Sequence, residues 1–188
     1  MKIVLIVVAI CLVIALGVGS KYVGVRNQLV TQQEAINGQW AQVASALQRR
    51  ADLIPNLVAT VKGFAQHETE VYKDIADARA ALGRGGRPQE MIAANDRLSG
   101  ALSRLLVVVE NYPQLKSNEN FLHLQDELAG TENRINVERR KYNEAIQQYN
   151  TTLQLFPNNI VASMSGFTRN DAYFKTEPGA ERAPKVQF

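Results

Sequence analysis

The stretch from Asn118 to Leu155, NENFLHLQDELAGTENRINVERRKYNEAIQQYNTTLQL, decides the fold class. It holds one glycine, Gly130, and no proline. Its apolar residues Phe121, Leu124, Leu128, Ile135, Tyr142, Ile146, Tyr149 and Leu153 recur at spacings of three, four and seven, which puts them on one face of a helix. At about 1.5 Å per residue that helix is roughly 57 Å long. So long a stripe cannot be buried inside a compact globule. It must pack lengthwise against other helices, of this chain or of other copies. The expected class is therefore all-α: an elongated, antiparallel, coiled-coil-like bundle of long helices.

Working outward, Pro157-Asn158-Asn159 stops this helix and Ile160 to Phe167 adds a short one. Residues 168–188 carry Pro178, Gly179 and Pro184 without a period, and read as an extended or mobile tail. The aromatic residues Tyr173, Phe174 and Phe188 would suit a segment that orders on binding. Upstream, Met91, Leu98, Leu102, Leu105 and Val109 mark a helix that Asn111-Tyr112-Pro113 ends. The loop Gly83-Arg84-Gly85-Gly86-Arg87-Pro88 precedes it, with a glycine stop and a proline start.

Before that loop, Leu57, Val61, Phe64, Val71, Ile75, Ala78 and Leu82 form a further stripe. Its helix is expected to start at a corner made by Asp52, Pro55 and Asn56. There Asp52 would cap the N-terminus, and Pro55 would fall in the first turn, where a missing N–H costs little. The earliest stripe has Leu29, Ile36 and Val43 seven apart, with Trp40 and Leu47 on the alternate positions and polar Gln33 interrupting. The predicted seam is thus Leu29, Ile36, Trp40, Val43, Leu47, Val61, Phe64, Leu98, Leu105, Leu128, Ile135, Tyr142 and Tyr149.

The N-terminus explains an odd composition. The 188 residues are 46% hydrophobic, yet mean hydropathy is only −0.18. The apolar residues are concentrated in an unbroken run: Ile3, Val4, Leu5, Ile6, Val7, Val8, Ala9, Ile10, Cys11, Leu12, Val13, Ile14, Ala15, Leu16, Gly17, Val18 and Gly19. All 18 acidic residues follow it, as do all the basic residues except Lys2. Seventeen helical residues reach roughly 26 Å, close to the hydrocarbon thickness of about 30 Å. A single uncleaved membrane anchor is the expectation.

The rival reading of the run is a signal peptide cut near Ala15-Leu16-Gly17, but the run outlasts that site. A lipoprotein cysteine at Cys11 is disfavoured by Ile10, where processing wants a small residue. Lys2 and the α-amine on one side balance Lys21 and Arg26 on the other, so charge does not orient the anchor.

Several classes are excluded or disfavoured. One apolar run is too few for a polytopic transporter, and one cysteine cannot staple a disulfide scaffold. A net charge of +3, with no aromatics interleaved among Arg49-Arg50 or Arg139-Arg140-Lys141, gives no nucleic-acid surface. These clusters read as solvated helix faces. His67-Glu68-Thr69-Glu70 lacks the second histidine that a zinc helix needs at the fourth position on. The alternative function, a metal-dependent hydrolase, would have to bring His67, Glu68 and His123 together across helices. No cofactor is expected. Tyr142-Asn143 and Tyr149-Asn150 repeat a dipeptide seven residues apart, and core packing of the rings is the favoured role.

Several segments carry a family resemblance. They are Arg26-Asn27-Gln28-Leu29-Val30, Trp40-Ala41-Gln42-Val43, Arg49-Arg50-Ala51-Asp52-Leu53-Ile54-Pro55-Asn56-Leu57-Val58 and Thr60-Val61-Lys62-Gly63-Phe64-Ala65-Gln66-His67-Glu68. With Tyr112-Pro113-Gln114-Leu115-Lys116, Thr131-Glu132-Asn133-Arg134-Ile135, the two Tyr-Asn pairs and Gly166-Phe167, they resemble the LemA family of bacterial membrane proteins over about residues 20 to 167. The resemblance implies a single-pass membrane protein with a helical-bundle domain and no catalytic activity. The expected organisation is an anchor over 1–25, a LemA-like bundle over 26–167 and a tail over 168–188. The expected function is a non-catalytic scaffold in the bacterial inner (cytoplasmic) membrane. It would meet the lipid bilayer, its own copies as a homo-oligomer, and an unidentified membrane or envelope protein, but no nucleic acid.

Overall fold

The computed structural model describes residues 1–174. Among these the chain is all-α, with six helices and no strand: α1 (Lys2–Lys62), α2 (Thr69–Gly83), α3 (Pro88–Val109), α4 (Pro113–Lys116), α5 (Glu119–Gln154) and α6 (Asn158–Met164). Two compact units divide it. One comprises Met1–Trp40 and Glu144–Asp171; the other comprises Ala41–Asn143 and the described residues from Ala172. Helices α1 and α5 contribute to both.

In the first unit α1 buries Val25, Leu29 and Ile36, α5 buries Ile146, Tyr149 and Leu153, and α6 buries Val161 and Ala162. The Tyr22 hydroxyl meets the Ser165 hydroxyl at 3.1 Å, and Gln32 Nε2 donates to Thr152 Oγ1 at 3.0 Å. Rising numbers on α1 therefore meet falling numbers downstream, so the packing is antiparallel. Gly166 ends α6 at φ 75°, with its own N–H on the Ser163 carbonyl and the Phe167 N–H on the Ala162 carbonyl. That pairing is the glycine C-cap that satisfies orphan carbonyls and turns the chain out of a helix.

In the second unit α2 and α3 form a hairpin, crossed by an Asp74–Arg104 ion pair at 2.8 Å. Gly85 and Gly86 take positive φ between them, 65° and 138°, which glycine tolerates best. Pro88 opens α3, and the Glu90 carboxylate reaches back to accept the Arg87 N–H at 3.3 Å. Asn118 Oδ1 caps α5 by accepting the Phe121 N–H at 3.1 Å.

The expected corner at Asp52, Pro55 and Asn56 is not there. Helix α1 runs through Pro55 to Lys62. Proline deprives the carbonyl four residues back of its donor, here Ala51. Arg79 of α2 supplies the replacement: its Nε–H donates to the Ala51 carbonyl at 2.9 Å. Asp52 is a mid-helix residue that accepts from Gln48 Nε2 at 2.8 Å, one turn earlier.

The real break is 63–68. The Phe64 and Ala65 N–H groups both bond the Val61 carbonyl, at 3.0 and 2.9 Å. Ala65 is buried, and its carbonyl accepts the Tyr72 hydroxyl at 2.6 Å. Lys62 Nζ lies 5.0 Å from the centre of the Tyr72 ring. Phe64, beyond the end of α1, is 38% exposed and does not join the seam.

Candidate functional site

Arg49 and Arg50, read together as a solvated basic cluster, separate completely. The Arg49 side chain is exposed and pairs with Glu127 at 3.1 Å. Arg50 is only 7% exposed. Its Nη1 donates to Asn95 Oδ1 at 2.8 Å and to Ser99 Oγ at 3.1 Å, and lies 2.8 Å from Glu132 Oε2. One guanidinium from α1 thus ties α3 and α5 within the second unit. Burial pushes the Arg50 guanidinium below its ordinary value, while Glu132 and Asp96 push it back up. The signal was present in the spacing: Leu29, Ile36, Val43, Arg50 and Leu57 step by seven, so Arg50 stands on the buried stripe.

Arg50 and Glu132 line a cleft of about 370 Å³. Its walls are mainly Leu57, Leu102, Leu106, Phe121 and Leu128, with Ser99 beside the charged pair. An apolar cleft with a few fixed polar groups has the make-up of a small-molecule or side-chain pocket. Ser103 Oγ is engaged locally, donating to the Ser99 carbonyl at 3.0 Å.

The two Tyr-Asn dipeptides do more than pack. In the first unit Tyr149 is buried and its hydroxyl donates to the Thr168 carbonyl at 3.0 Å. Asn150 Nδ2 donates to the Asn170 carbonyl at 2.7 Å, and its Oδ1 accepts the Asn170 N–H at 2.9 Å. In the second unit Asn143 does the same to Phe174, donating to the carbonyl at 2.9 Å and accepting the N–H at 3.0 Å. The Phe174 ring meets the buried Tyr142 ring edge-on at 5.9 Å, and the Arg139 guanidinium carbon lies 4.7 Å from its centre. Residues 168–174 form neither helix nor strand and are held by these bonds; residues 175–188, including Pro178, Gly179, Pro184 and Phe188, lie outside the described residues. Burial raises Tyr142 and Tyr149 above the ordinary tyrosine value, and it is the main cause for Tyr72 as well, followed by Glu68.

The other expected residues fall as follows. Every large apolar side chain from Ile3 to Val18 is at least 52% exposed, and Cys11 is an exposed free thiol. Of the seam, Leu29, Ile36, Val43, Leu47, Val61, Leu98, Leu105, Ile135, Tyr142 and Tyr149 are buried, whereas Trp40 and Leu128 are half-buried. His67 lies in the 63–68 connection and His123 on α5, both exposed. No group of three or more His, Cys, Asp or Glu among the described residues is placed to hold a metal ion.

These features define an all-α protein in which one described helix, the first, is long and apolar enough to cross a membrane. The chain belongs to the LemA family, whose model matches residues 39–188 and so runs through the C-terminal segment as well. It is 27% identical to magnetosome protein MamQ 2 of Paramagnetospirillum magneticum and 25% identical to MamQ of Magnetospirillum gryphiswaldense, each over 82% of this chain. It is 27% identical to Protein LemA of Metamycoplasma hominis over 75% of this chain. The matches span 66% of the length of each MamQ relative and 65% of that LemA protein.

Proposed function

We propose that this chain is a non-catalytic, membrane-anchored helical scaffold of the bacterial inner membrane, which assembles with its own copies or holds a protein partner there. One observation carries the reading. Helix α1 begins with a wholly exposed apolar run and continues, without a break, into residues buried among other helices. An exposed apolar surface of that extent calls for lipid or protein cover, and the length of the run suits lipid. The long stripes of α1 and α5 and the absence of a recognisable catalytic motif favour a binding role over a chemical one. The MamQ relatives, named for the magnetosome, support a bacterial role of this kind.

The test is the size and company of the full-length protein extracted from membranes in mild detergent. Light scattering after size exclusion is expected to give a defined oligomer or a stoichiometric partner. A monodisperse monomer with nothing co-purifying overturns the reading.

A further inference from the structure

Helix α6 has two unlike faces. Val161 and Ala162 are buried, whereas Ile160 and Met164, one turn apart on another side, are 51% and 72% exposed. Leu155 and Phe156, in the turn that leads into α6, are 55% and 80% exposed. No charge interrupts this stretch: from Ala145 to Thr168 the chain has no Asp, Glu, Lys, Arg or His. Exposed apolar residues scattered singly are ordinary; four gathered on one turn and the helix after it mark a contact surface.

The place of this surface names what covers it. The Tyr22–Ser165 hydroxyl contact sets the end of α6 beside residue 22 of α1, within one compact unit. Every residue of α1 before Tyr22 is exposed, and Val25 is the first that is buried, so the helices packed on α1 begin there. Tyr22 lies three positions past Gly19, the end of the apolar run, which is about 4.5 Å along a helix. The headgroup layer adds about 5–8 Å to each side of the hydrocarbon. With the run across a bilayer, the end of α6 is therefore level with the headgroups. Charge agrees with that cover. On α1 this level has Lys21 and Arg26, and no acidic residue occurs before Glu34. The first charges after Thr168, Arg169 and Asp171, pair with each other at 2.6 Å.

We infer that Leu155, Phe156, Ile160 and Met164 form a foot that seats in the interfacial layer of the bilayer, beside the point where α1 enters it. The ligand is the lipid surface itself: the upper acyl chains take the four side chains, and headgroup phosphates take Lys21 and Arg26. The inference rests on the membrane-anchor reading above and adds a second point of attachment to it. A single spanning helix leaves the body free to swing about its exit. A foot beside that exit fixes the tilt of the helices packed on α1.

The test is electron paramagnetic resonance of the full-length chain in vesicles of phosphatidylethanolamine and phosphatidylglycerol. A nitroxide is attached to native Cys11 or, in a Cys11→Ser chain, at Met164→Cys or Gln147→Cys. Its access to oxygen and to a water-soluble nickel chelate is measured. Cys11 stands at the middle of the run and reports the anchor; position 147, exposed on α5, reports water. Position 164 is expected to favour oxygen over nickel, at a depth of up to about 5–10 Å below the phosphates, while position 147 favours nickel. Nickel access at 164 with Cys11 deep in lipid overturns the foot and leaves the anchor standing; nickel access at both overturns both. Shielding of 164 from both relaxants means protein cover, such as a second copy, and also overturns the lipid seat. Phe156→Gln with Ile160→Gln changes only exposed side chains. It is expected to raise nickel access at 164 several-fold, to near that of 147, and to leave Cys11 unchanged. An unchanged depth at 164 in that variant overturns the assignment of this face.

Discussion

Arg79 donates to the carbonyl oxygen of Ala51 at 2.9 Å, and Ala51 is the acceptor that Pro55 leaves without a donor. The two features compensate each other, so they should be coupled energetically. Arg79→Ala is expected to cost about 1–2 kcal/mol, since it strands a helical carbonyl. In a Pro55→Ala background the helix bond returns, and the same change should cost less than about 0.5 kcal/mol. A double-mutant cycle by denaturant unfolding, followed by circular dichroism, measures the difference.

Arg50 and Arg49 make a paired test of burial. Replacing Arg50 by Met removes the donor to Asn95 and Ser99 and the positive charge beside Glu132. The expected loss is about 1–2 kcal/mol, mainly from the two hydrogen bonds to Asn95 and Ser99, because the Glu132 carboxylate is 37% exposed and keeps water when unpaired. Arg50→Lys should recover only part of it, because the shorter, tetrahedral and more strongly hydrated ammonium does not reproduce the position of Nη1. Arg49→Met, which breaks an exposed pair with Glu127, should cost under about 0.5 kcal/mol. Equal losses at the two positions would sink the assignment of Arg50 as the internal tie.

Tyr72, Tyr142 and Tyr149 give the protein a defined alkaline limit. Burial leads the causes that hold all three above the ordinary value of about 10, so the folded state keeps protons that the unfolded state releases. The contribution is fully present below about pH 10 and is lost as pH rises through the folded values. Stability measured against pH should therefore be insensitive to these groups up to about pH 9 and fall beyond about pH 10. Tyrosinate absorbance should show a late-titrating fraction that disappears in denaturant.

The apolar run can be tested for insertion directly. Leu12→Arg together with Val8→Arg places two charges at mid-run, each costing about 2.5–3.5 kcal/mol at a membrane centre. The expected result is a shift of the protein from the membrane to the soluble fraction. Unchanged fractionation would mean that attachment does not depend on insertion of this run.

The stripes were legible because a buried face writes its period into the sequence, as Ile135, Tyr142 and Tyr149 do on α5. What the sequence hid depends on neighbours far along the chain. The break expected at Pro55 is removed by Arg79, and no pattern around Pro55 announces that donor. The true end of α1 at Lys62 has only Gly63 to mark it and is fixed by the Tyr72 hydroxyl on Ala65. Arg50 sat in plain view on a seven-residue step, but the step alone does not tell that Asn95, Ser99 and Glu132 converge on it. The Tyr-Asn repeat was visible, and its tyrosines are buried as their place on the stripe suggested. Its asparagines hold the backbone of Asn170 and Phe174, partners that no pattern around the repeat announces.

The α2–α3 hairpin is interposed, in chain order, between α1 and the α5–α6 stretch, and the bonds that tie α1 to that stretch, Gln32 to Thr152 and Tyr22 to Ser165, join residues 120 and 143 positions apart. That arrangement sets an order of events. The hairpin closes over the four-residue link 84–87 and loses little entropy in doing so, whereas pairing α1 with α5 must close a loop many times longer. Local contacts form fast and distant ones wait. Pulse-labelling hydrogen exchange during refolding should find residues 69–109 protected before 22–36 and 146–165, and simultaneous protection would contradict that sequence. Until the later step, Leu29, Ile36 and Ile146 stay uncovered, and the newly made chain has its greatest need of shelter from its neighbours.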